Sequence, residues 1–125
     1  MISLKKLFHL IDLARKCNKC AMLHFQNLSF NQVKYKNDNS PLTQADLEVN
    51  QIAVNGIKKL FPKVKIVSEE FERSQKFFRN NNVFWLIDPI DRTKEFINKK
   101  PNFTVNLALI KNNLPIFGLI SQPYT

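Results

Sequence analysis

Apolar residues change from helical to strand-like spacing near the middle of the chain, and no other feature constrains the fold as strongly. Over residues 2–28 the apolar side chains recur three and four positions apart, which predicts one long amphipathic helix. Its predicted stripe contains Leu4, Leu7, Phe8, Ile11, Ala14, Cys17, Ala21, Phe25 and Leu28. A second helix is predicted after Thr43, with Asp46 completing a capping-box-like pair and Pro62 ending the helix. Its predicted stripe contains Ala45, Val49, Ile52, Ala53 and Leu60.

Strand-like segments follow the second helix. Residues 32–40, between the helices, are polar and have turn composition. Beyond Pro62, four short segments rich in Val, Ile, Leu and Phe predict strands at 64–68, 83–88, 103–110 and 115–121. The last two flank residues 111–114 and predict an antiparallel hairpin. Helices before strands predict an α+β layer, in which two helices cover one mostly antiparallel sheet.

The domain expectation follows from length. A chain of 125 residues is long enough for one domain or for part of a larger one. The sequence stops directly after the last predicted strand, with no element to cover the second face of the sheet. We therefore expect residues 1–125 to be an incomplete part, about half, of a single larger domain.

Charge and hydropathy limit the partners. The 19 basic and 10 acidic residues give a net charge of +9, which attracts anionic small molecules and phosphorylated ones in particular. Arginines, which read phosphates and base edges, are few, so no nucleic-acid partner is expected. Apolar runs fall far short of the ~20 residues that span a bilayer, so no integral membrane segment is expected. We expect the protein in the cytoplasm, either free or peripherally associated with the inner face of the membrane.

Cysteine and histidine are sparse. Cys17 and Cys20 have the C-x-x-C spacing of a redox pair or of half a zinc site. With no second pair, and no histidine expected at a ligand-like spacing, we interpret both cysteines as structural helix residues in a reducing compartment. His9 and His24 are interpreted as residues of the helix surface or its flank.

Four of the acidic residues fall in two tight groups at predicted strand ends, Glu69 with Glu70 and Asp88 with Asp91. Strand residues three apart point to opposite faces, so Asp88 and Asp91 converge only if the chain turns between them, and Pro89 favours such a turn. Carboxylates gathered in one pocket repel unless a cation neutralises them, and an all-oxygen ligand set suits Mg²⁺. The alternative is that these acids cap turns and pair with surface lysines.

Two further residues fit phosphate chemistry. Thr93 lies two residues beyond Asp91, where its hydroxyl can orient a water, and Asp46 opens the second predicted helix. A hydroxyl partnered by a carboxylate, beside a metal-bound water, suits the hydrolysis of a phosphate ester.

Four ordered stretches resemble the inositol monophosphatase superfamily, namely residues 38–46 (DNSPLTQAD), 67–70 (VSEE), 85–97 (WLIDPIDRTKEFI) and 103–110 (FTVNLALI). The Lys-Glu-Phe at 94–96 resembles its 3'(2'),5'-bisphosphate nucleotidase (CysQ-type) branch. The resemblance implies the amino-terminal half of an inositol-monophosphatase-like fold. It also implies a lithium-sensitive, Mg²⁺-dependent phosphatase that removes the 3'-phosphate from adenosine 3',5'-bisphosphate, a by-product of sulfate activation.

The resemblance also implies metal ligands. Glu69, Asp88 and the backbone carbonyl of Ile90 would hold one magnesium ion. Asp88 and Asp91 would hold the second, and Glu70 would sit beside the site.

The remaining implied roles concern water and substrate. Thr93, paired with Asp46, would position the attacking water, and the backbone N–H groups of Arg92 and Thr93 would face the substrate phosphate. The residues implied to contact the substrate are Glu69, Ile90, Asp91, Arg92 and Thr93.

The chain departs from the family pattern in two places. Arg92 replaces a glycine, which either strains the turn or adds a guanidinium fork for phosphate. The family's later half supplies another metal-binding Asp in a Trp-Asp motif, and nothing in this chain matches it. Three hypotheses follow: an enzyme completed by a separate polypeptide carrying that half, a truncated inactive remnant, or a basic anion-binding module.

Overall fold

Two helices pack on one face of a four-stranded sheet. The computed structural model describes residues 2–26, 33–35, 41–68, 83–91 and 103–122. The helices are α1 (Leu4–Gln26) and α2 (Gln44–Leu60), and a short antiparallel ladder pairs β1 (Val33–Tyr35) with β2 (Pro41–Thr43). The sheet contains, in spatial order, β3 (Lys65–Ser68), β4 (Val83–Asp91), β5 (Thr104–Lys111) and β6 (Leu114–Ser121). Strands β3 and β4 are parallel and the other neighbours are antiparallel, which confirms the predicted layer.

The buried face of α1 differs in part from the predicted stripe. The buried residues are Leu10, Leu13, Ala14, Cys17, Ala21 and Phe25. The prediction that Leu4 and Phe8 are buried is wrong, because their exposed fractions are 69% and 60%. At 100° per residue, these two side chains lie about 120° and 160° around the helix from Leu10. They therefore point away from the core.

The buried face of α2 recurs every four residues. Its apolar members are Ala45, Val49, Ala53 and Ile57. Asp46 and Asn50 are buried beside them, whereas Ile52 and Leu60 are only half-buried. The helix begins directly after Thr43, as predicted.

Alternation of side chains builds the sheet's part of the core. On β5, Val105, Leu107 and Leu109 are buried, and the residues between them are half-buried. Trp85 and Ile87 of β4 pair with Leu109 and Leu107 and are fully buried. One apolar face therefore meets the two helices.

The predicted β5–β6 hairpin is present. Its two-residue turn consists of Asn112 and Asn113, with φ values of 52° and 67°. Two positive φ angles in a two-residue loop match a type I′ turn, in which asparagine is among the favoured residues. Residues 33–35, within the stretch predicted to be a polar turn, form β1 instead. Among the described residues, no helix is both long and apolar enough to cross a membrane.

Strand β4 continues past the point where a turn was predicted. It runs through Pro89 to Asp91, and its pairing with β5 shifts register between Asp88 and Asp91. The register pairs Asp88 with Asn106 and Asp91 with Thr104, so three steps on β4 oppose two on β5. One extra residue in one strand is a β-bulge, and Pro89 fits there because a bulged residue is free of the regular ladder.

Candidate functional site

The carboxyl ends of β3 and β4 meet at one edge of the sheet, because the two strands are parallel. Ser68, the last residue of β3, pairs with Ile87, and the half-buried Asp88 follows Ile87 on β4. Glu69 and Glu70 follow Ser68 directly in the sequence. We call this end of the β3–β4 pair the carboxyl edge.

Helix α2 runs antiparallel to these two strands, and two contacts fix its direction. Near its amino terminus, the Ser68 hydroxyl donates a hydrogen bond to Asn50 Oδ1. Just beyond its carboxyl terminus, the ring of Phe61 lies 5.1 Å from that of Trp85, near the start of β4. The amino terminus of α2 therefore lies at the carboxyl edge.

Asp46 lies in the first turn of α2 and has an exposed fraction of 0%. It precedes Asn50 by four residues, so the two side chains project from the same face of the helix. The amino terminus of a helix carries partial positive charge, which favours a carboxylate there. A buried acidic group thus lies one helical turn before the contact with β3.

The bulge in β4 changes which residues share a face of the sheet. Ile87 and Ile90 both belong to the hydrophobic core, with exposed fractions of 0% and 2%, although they are three residues apart. In a regular strand they would point to opposite faces. Asp88 and Asp91 pair with Asn106 and Thr104, which are two residues apart on β5. The backbone register therefore sets positions 88 and 91 opposite two β5 residues of one face by means of a bulge, where the sequence predicted a turn at Pro89.

The described residues cover part of the predicted site. They include Asp46, Asp88, Ile90 and the backbone of Asp91. The buried side chain of Ile90 is part of the core, which is consistent with the backbone carbonyl as its implied ligand. Glu69, Glu70, Arg92 and Thr93 lie outside the described residues, and their roles stay predictions.

Asn50 is absent from the residues predicted for the site. It is 2% exposed and holds Ser68 at the end of β3, immediately before the acidic pair. Its spacing of four residues from Asp46 was the signal that could have identified it, because both lie on the buried face of one helix.

A second polar cluster joins the two helices. Glu48 Oε2 lies 2.5 Å from His24 Nε2 and 3.8 Å from Cys20 Sγ. The hydrogen bond with His24 lowers the pKa of Glu48. Burial, reinforced by the charge of Glu48, raises the pKa of the Cys20 thiol. The prediction that no histidine lies at ligand-like spacing from the cysteines is wrong, because Cys20 and His24 are four residues apart and both contact Glu48.

Comparisons with known proteins agree with the fold. The inositol monophosphatase family model matches residues 4–125. The 3'(2'),5'-bisphosphate nucleotidase CysQ of Buchnera aphidicola is 40% identical over 120 residues, which are 96% of this chain and 45% of that protein. The Escherichia coli protein of the same name is 37% identical over 112 residues, covering 90% of this chain and 46% of its own length. The chain therefore spans a little under half the length of these relatives.

Solved structures also match nearly all of this chain with less than half of their own length. The IMPase of Thermotoga maritima matches with a TM-score of 0.81 and 30% identity, covering 96% of this chain and 45% of that one. CysQ of Bacteroides thetaiotaomicron matches with a TM-score of 0.65 and 32% identity, covering 93% and 41%. These matches confirm the resemblance drawn from the four sequence stretches. The chain belongs to the inositol monophosphatase family.

Proposed function

We propose that this chain is the amino-terminal part of a Mg²⁺-dependent phosphatase that removes the 3'-phosphate from adenosine 3',5'-bisphosphate. The observation that supports the proposal is that the first turn of α2, which holds the buried Asp46, lies at the same end of the sheet as the carboxyl ends of β3 and β4, where the half-buried Asp88 is found. The names of the similar CysQ proteins support the substrate class. We place the enzyme in the cytoplasm.

The residues at the carboxyl edge suit a hard divalent cation. Asp88 is a half-buried carboxylate, and residue 90 offers a backbone carbonyl, so the described donors are all oxygen atoms. Oxygen donors favour Mg²⁺ over softer metals. With Glu69 they would hold one ion, and Asp88 with Asp91 would hold a second. Bound Mg²⁺ supplies positive charge against the phosphoryl oxygens of the substrate.

The chain's own groups would orient the reactants. Asp46 would accept a hydrogen bond from the Thr93 hydroxyl, which would leave the Thr93 oxygen free to accept one from the attacking water. The backbone N–H groups of Arg92 and Thr93 would donate to the substrate phosphate, and Glu70 would sit beside the site. The partial positive charge at the amino terminus of α2 adds to the attraction for an anionic substrate.

A phosphate-release assay tests the proposal. The 125-residue chain is assayed with adenosine 3',5'-bisphosphate and Mg²⁺, alone and mixed with the carboxyl-terminal half of the Buchnera CysQ. We expect very poor turnover from the chain alone, and Mg²⁺-dependent, lithium-inhibited turnover from the mixture.

Variants identify the site within that assay. Asp88→Asn is expected to abolish turnover of the mixture, whereas Asp12→Asn, which removes an exposed aspartate on α1, leaves it unchanged. Absence of Mg²⁺-dependent turnover from the mixture would favour the inactive-remnant hypothesis. Turnover by the isolated chain at the level of a full-length relative would show that the carboxyl-terminal half is dispensable.

A further inference from the structure

Three side chains of different chemistry converge where α1 faces α2. Cys20 and His24 are four residues apart on α1, and Glu48 reaches them from α2. The sulfur, ring nitrogen and carboxylate oxygen all lie within 4.8 Å of one another. Cys20 and His24 are half-buried and Glu48 is exposed, so an ion can enter from solvent.

The donor set differs from that of the carboxyl edge. A thiolate, an imidazole and a carboxylate together select a borderline transition metal such as Zn²⁺, and Mg²⁺ binds such a set poorly. A thiolate and a carboxylate also carry two negative charges, which balance a divalent cation. This balance matters in a chain of net charge +9, which otherwise repels cations.

The donor distances match a tetrahedral zinc site for the sulfur–oxygen pair and require a small movement for the nitrogen–oxygen pair. With zinc–ligand bonds of about 2.1 Å to nitrogen and oxygen and about 2.3 Å to sulfur, tetrahedral N···O and S···O separations are about 3.4 and about 3.6 Å. The structure has 2.5 Å between His24 Nε2 and Glu48 Oε2, and 3.8 Å between Cys20 Sγ and the same oxygen. The exposed Glu48 side chain can supply the required shift of about 0.9 Å by a small change of its torsions.

We propose that Cys20 Sγ, His24 Nε2 and Glu48 Oε2 form a Zn²⁺ site that joins α1 to α2. Glu48 lies two residues beyond Asp46, about 160° around α2 from it, so the zinc site is separate from the carboxyl edge. Three protein ligands leave a fourth position to water. Because the unfolded chain does not hold the two helices together, bound zinc stabilises the folded state.

Cobalt substitution tests the site, because a thiolate bound to Co²⁺ gives a near-ultraviolet charge-transfer band that oxygen ligands do not give. The 125-residue chain is titrated with Co²⁺ under reducing conditions and then with Zn²⁺. We expect the band to saturate at one equivalent of Co²⁺ and to disappear as Zn²⁺ displaces cobalt. Zn²⁺ should also raise the thermal midpoint of the chain, measured by circular dichroism.

Variants assign the ligands. Cys20→Ser is expected to abolish the band, and His24→Gln and Glu48→Gln to weaken Co²⁺ binding at least about tenfold. The matched controls Cys17→Ala and His9→Gln, on the same helix, should retain the band. Glu48→Gln changes an exposed side chain, so its result stands even if a substitution at Cys20 impairs folding.

The results that overturn the proposal are equally specific. The proposal is wrong if no band forms, if the band persists in Cys20→Ser, or if Glu48→Gln binds Co²⁺ as tightly as the unaltered chain. Asp88→Asn separates this site from the proposed magnesium site, because it should leave the cobalt band intact. If the unaltered chain gives no cobalt band but still binds Mg²⁺, the zinc site is contradicted and the proposed magnesium site is not.

Discussion

Asn50 and Ser68 are buried polar residues whose hydrogen bond links α2 to the carboxyl edge. Removing one partner of a buried hydrogen bond costs about 1–3 kcal/mol, because the other group loses its partner away from water. We expect Asn50→Ala to lower the free energy of unfolding by about 2 kcal/mol in urea titrations. Asn55→Ala, at an exposed position of the same helix, should change it by less than about 0.5 kcal/mol. If the two substitutions lower the free energy of unfolding equally, the buried hydrogen bond between Asn50 and Ser68 does not stabilise the chain.

Cys17 makes the stability of the chain pH-dependent. Burial, with a smaller contribution from Cys20, raises the pKa of the Cys17 thiol from 9.0 to about 12. The unfolded thiol loses its proton first as pH rises, so the stabilisation is complete below pH 9 and is lost between about 9 and 12.

The prediction compares Cys17→Ala with the unaltered chain at two pH values. Between pH 8 and pH 10.5 the unaltered chain should lose about 2 kcal/mol more unfolding free energy than the variant, since 1.5 pH units are worth about 2 kcal/mol. Urea titrations at both pH values measure the difference, in which other titrating groups cancel. A difference that does not change with pH would contradict a buried, protonated thiol.

At the scale of elements, α1 and α2 approach closely at Gly56. A methyl group built on Gly56 would lie 2.6 Å from Cδ2 and 3.0 Å from Cγ of the buried Leu13. Overpacking of this kind costs about 1–3 kcal/mol, whereas alanine gains about 1 kcal/mol over glycine in a helix. We therefore expect Gly56→Ala to destabilise the chain by about 1 kcal/mol in urea titrations. Lys58→Ala, at an exposed position of α2, should be neutral or slightly stabilising, and a stabilising Gly56→Ala would show that the helices separate easily.

Most of the helices and strands could be predicted from the spacing of apolar residues. The two helices, the four strands of the sheet and the asparagine turn all follow from local patterns. The burial of Leu4 and Phe8 was predicted wrongly, because an apolar side chain is placed by the neighbouring element as well as by its own helix. The bulge at Pro89 was also beyond local reasoning. Proline indicates a break in a regular ladder, but pairing with β5 decides whether the chain turns or bulges.

Motif residues such as Asp46 and Asp88 could be singled out from the sequence as site candidates, and the roles assigned to them stay predictions. Asn50 and the contact of His24 with Glu48 depend on the packing of one element against another. A polar residue on a helix gives no signal of its partner across 18 or 24 residues of chain. The spacing of Asn50 from Asp46 marks both as residues of one helix face, but the partners of Asn50 and His24 emerge only from the packing of the elements.

At the scale of the whole molecule, β6 is an edge strand of the described sheet and carries exposed apolar side chains. Leu114, Ile116 and Ile120 have exposed fractions of 66%, 48% and 73%. Exposed apolar edge strands promote pairing between chains. We expect the 125-residue chain to self-associate, and Ile120→Lys to reduce the association, as measured by analytical ultracentrifugation.

Leu4→Lys is the matched control for this prediction. Leu4 is 69% exposed, close to the value for Ile120, but it lies on α1 rather than at a strand edge. Association should persist in this variant. If both lysine substitutions suppress association equally, general charge rather than the β6 edge would be its cause.

Calorimetric titration with Mg²⁺ tests the proposed binding of a divalent cation by acidic side chains at the carboxyl edge. The 125-residue chain should bind Mg²⁺ with a measurable heat, and Asp12→Asn should bind it equally well. Asp88→Asn should show no binding, because it removes the carboxylate proposed to contact both ions. Unchanged Mg²⁺ binding by Asp88→Asn would remove Asp88 from the metal site and contradict the proposed function.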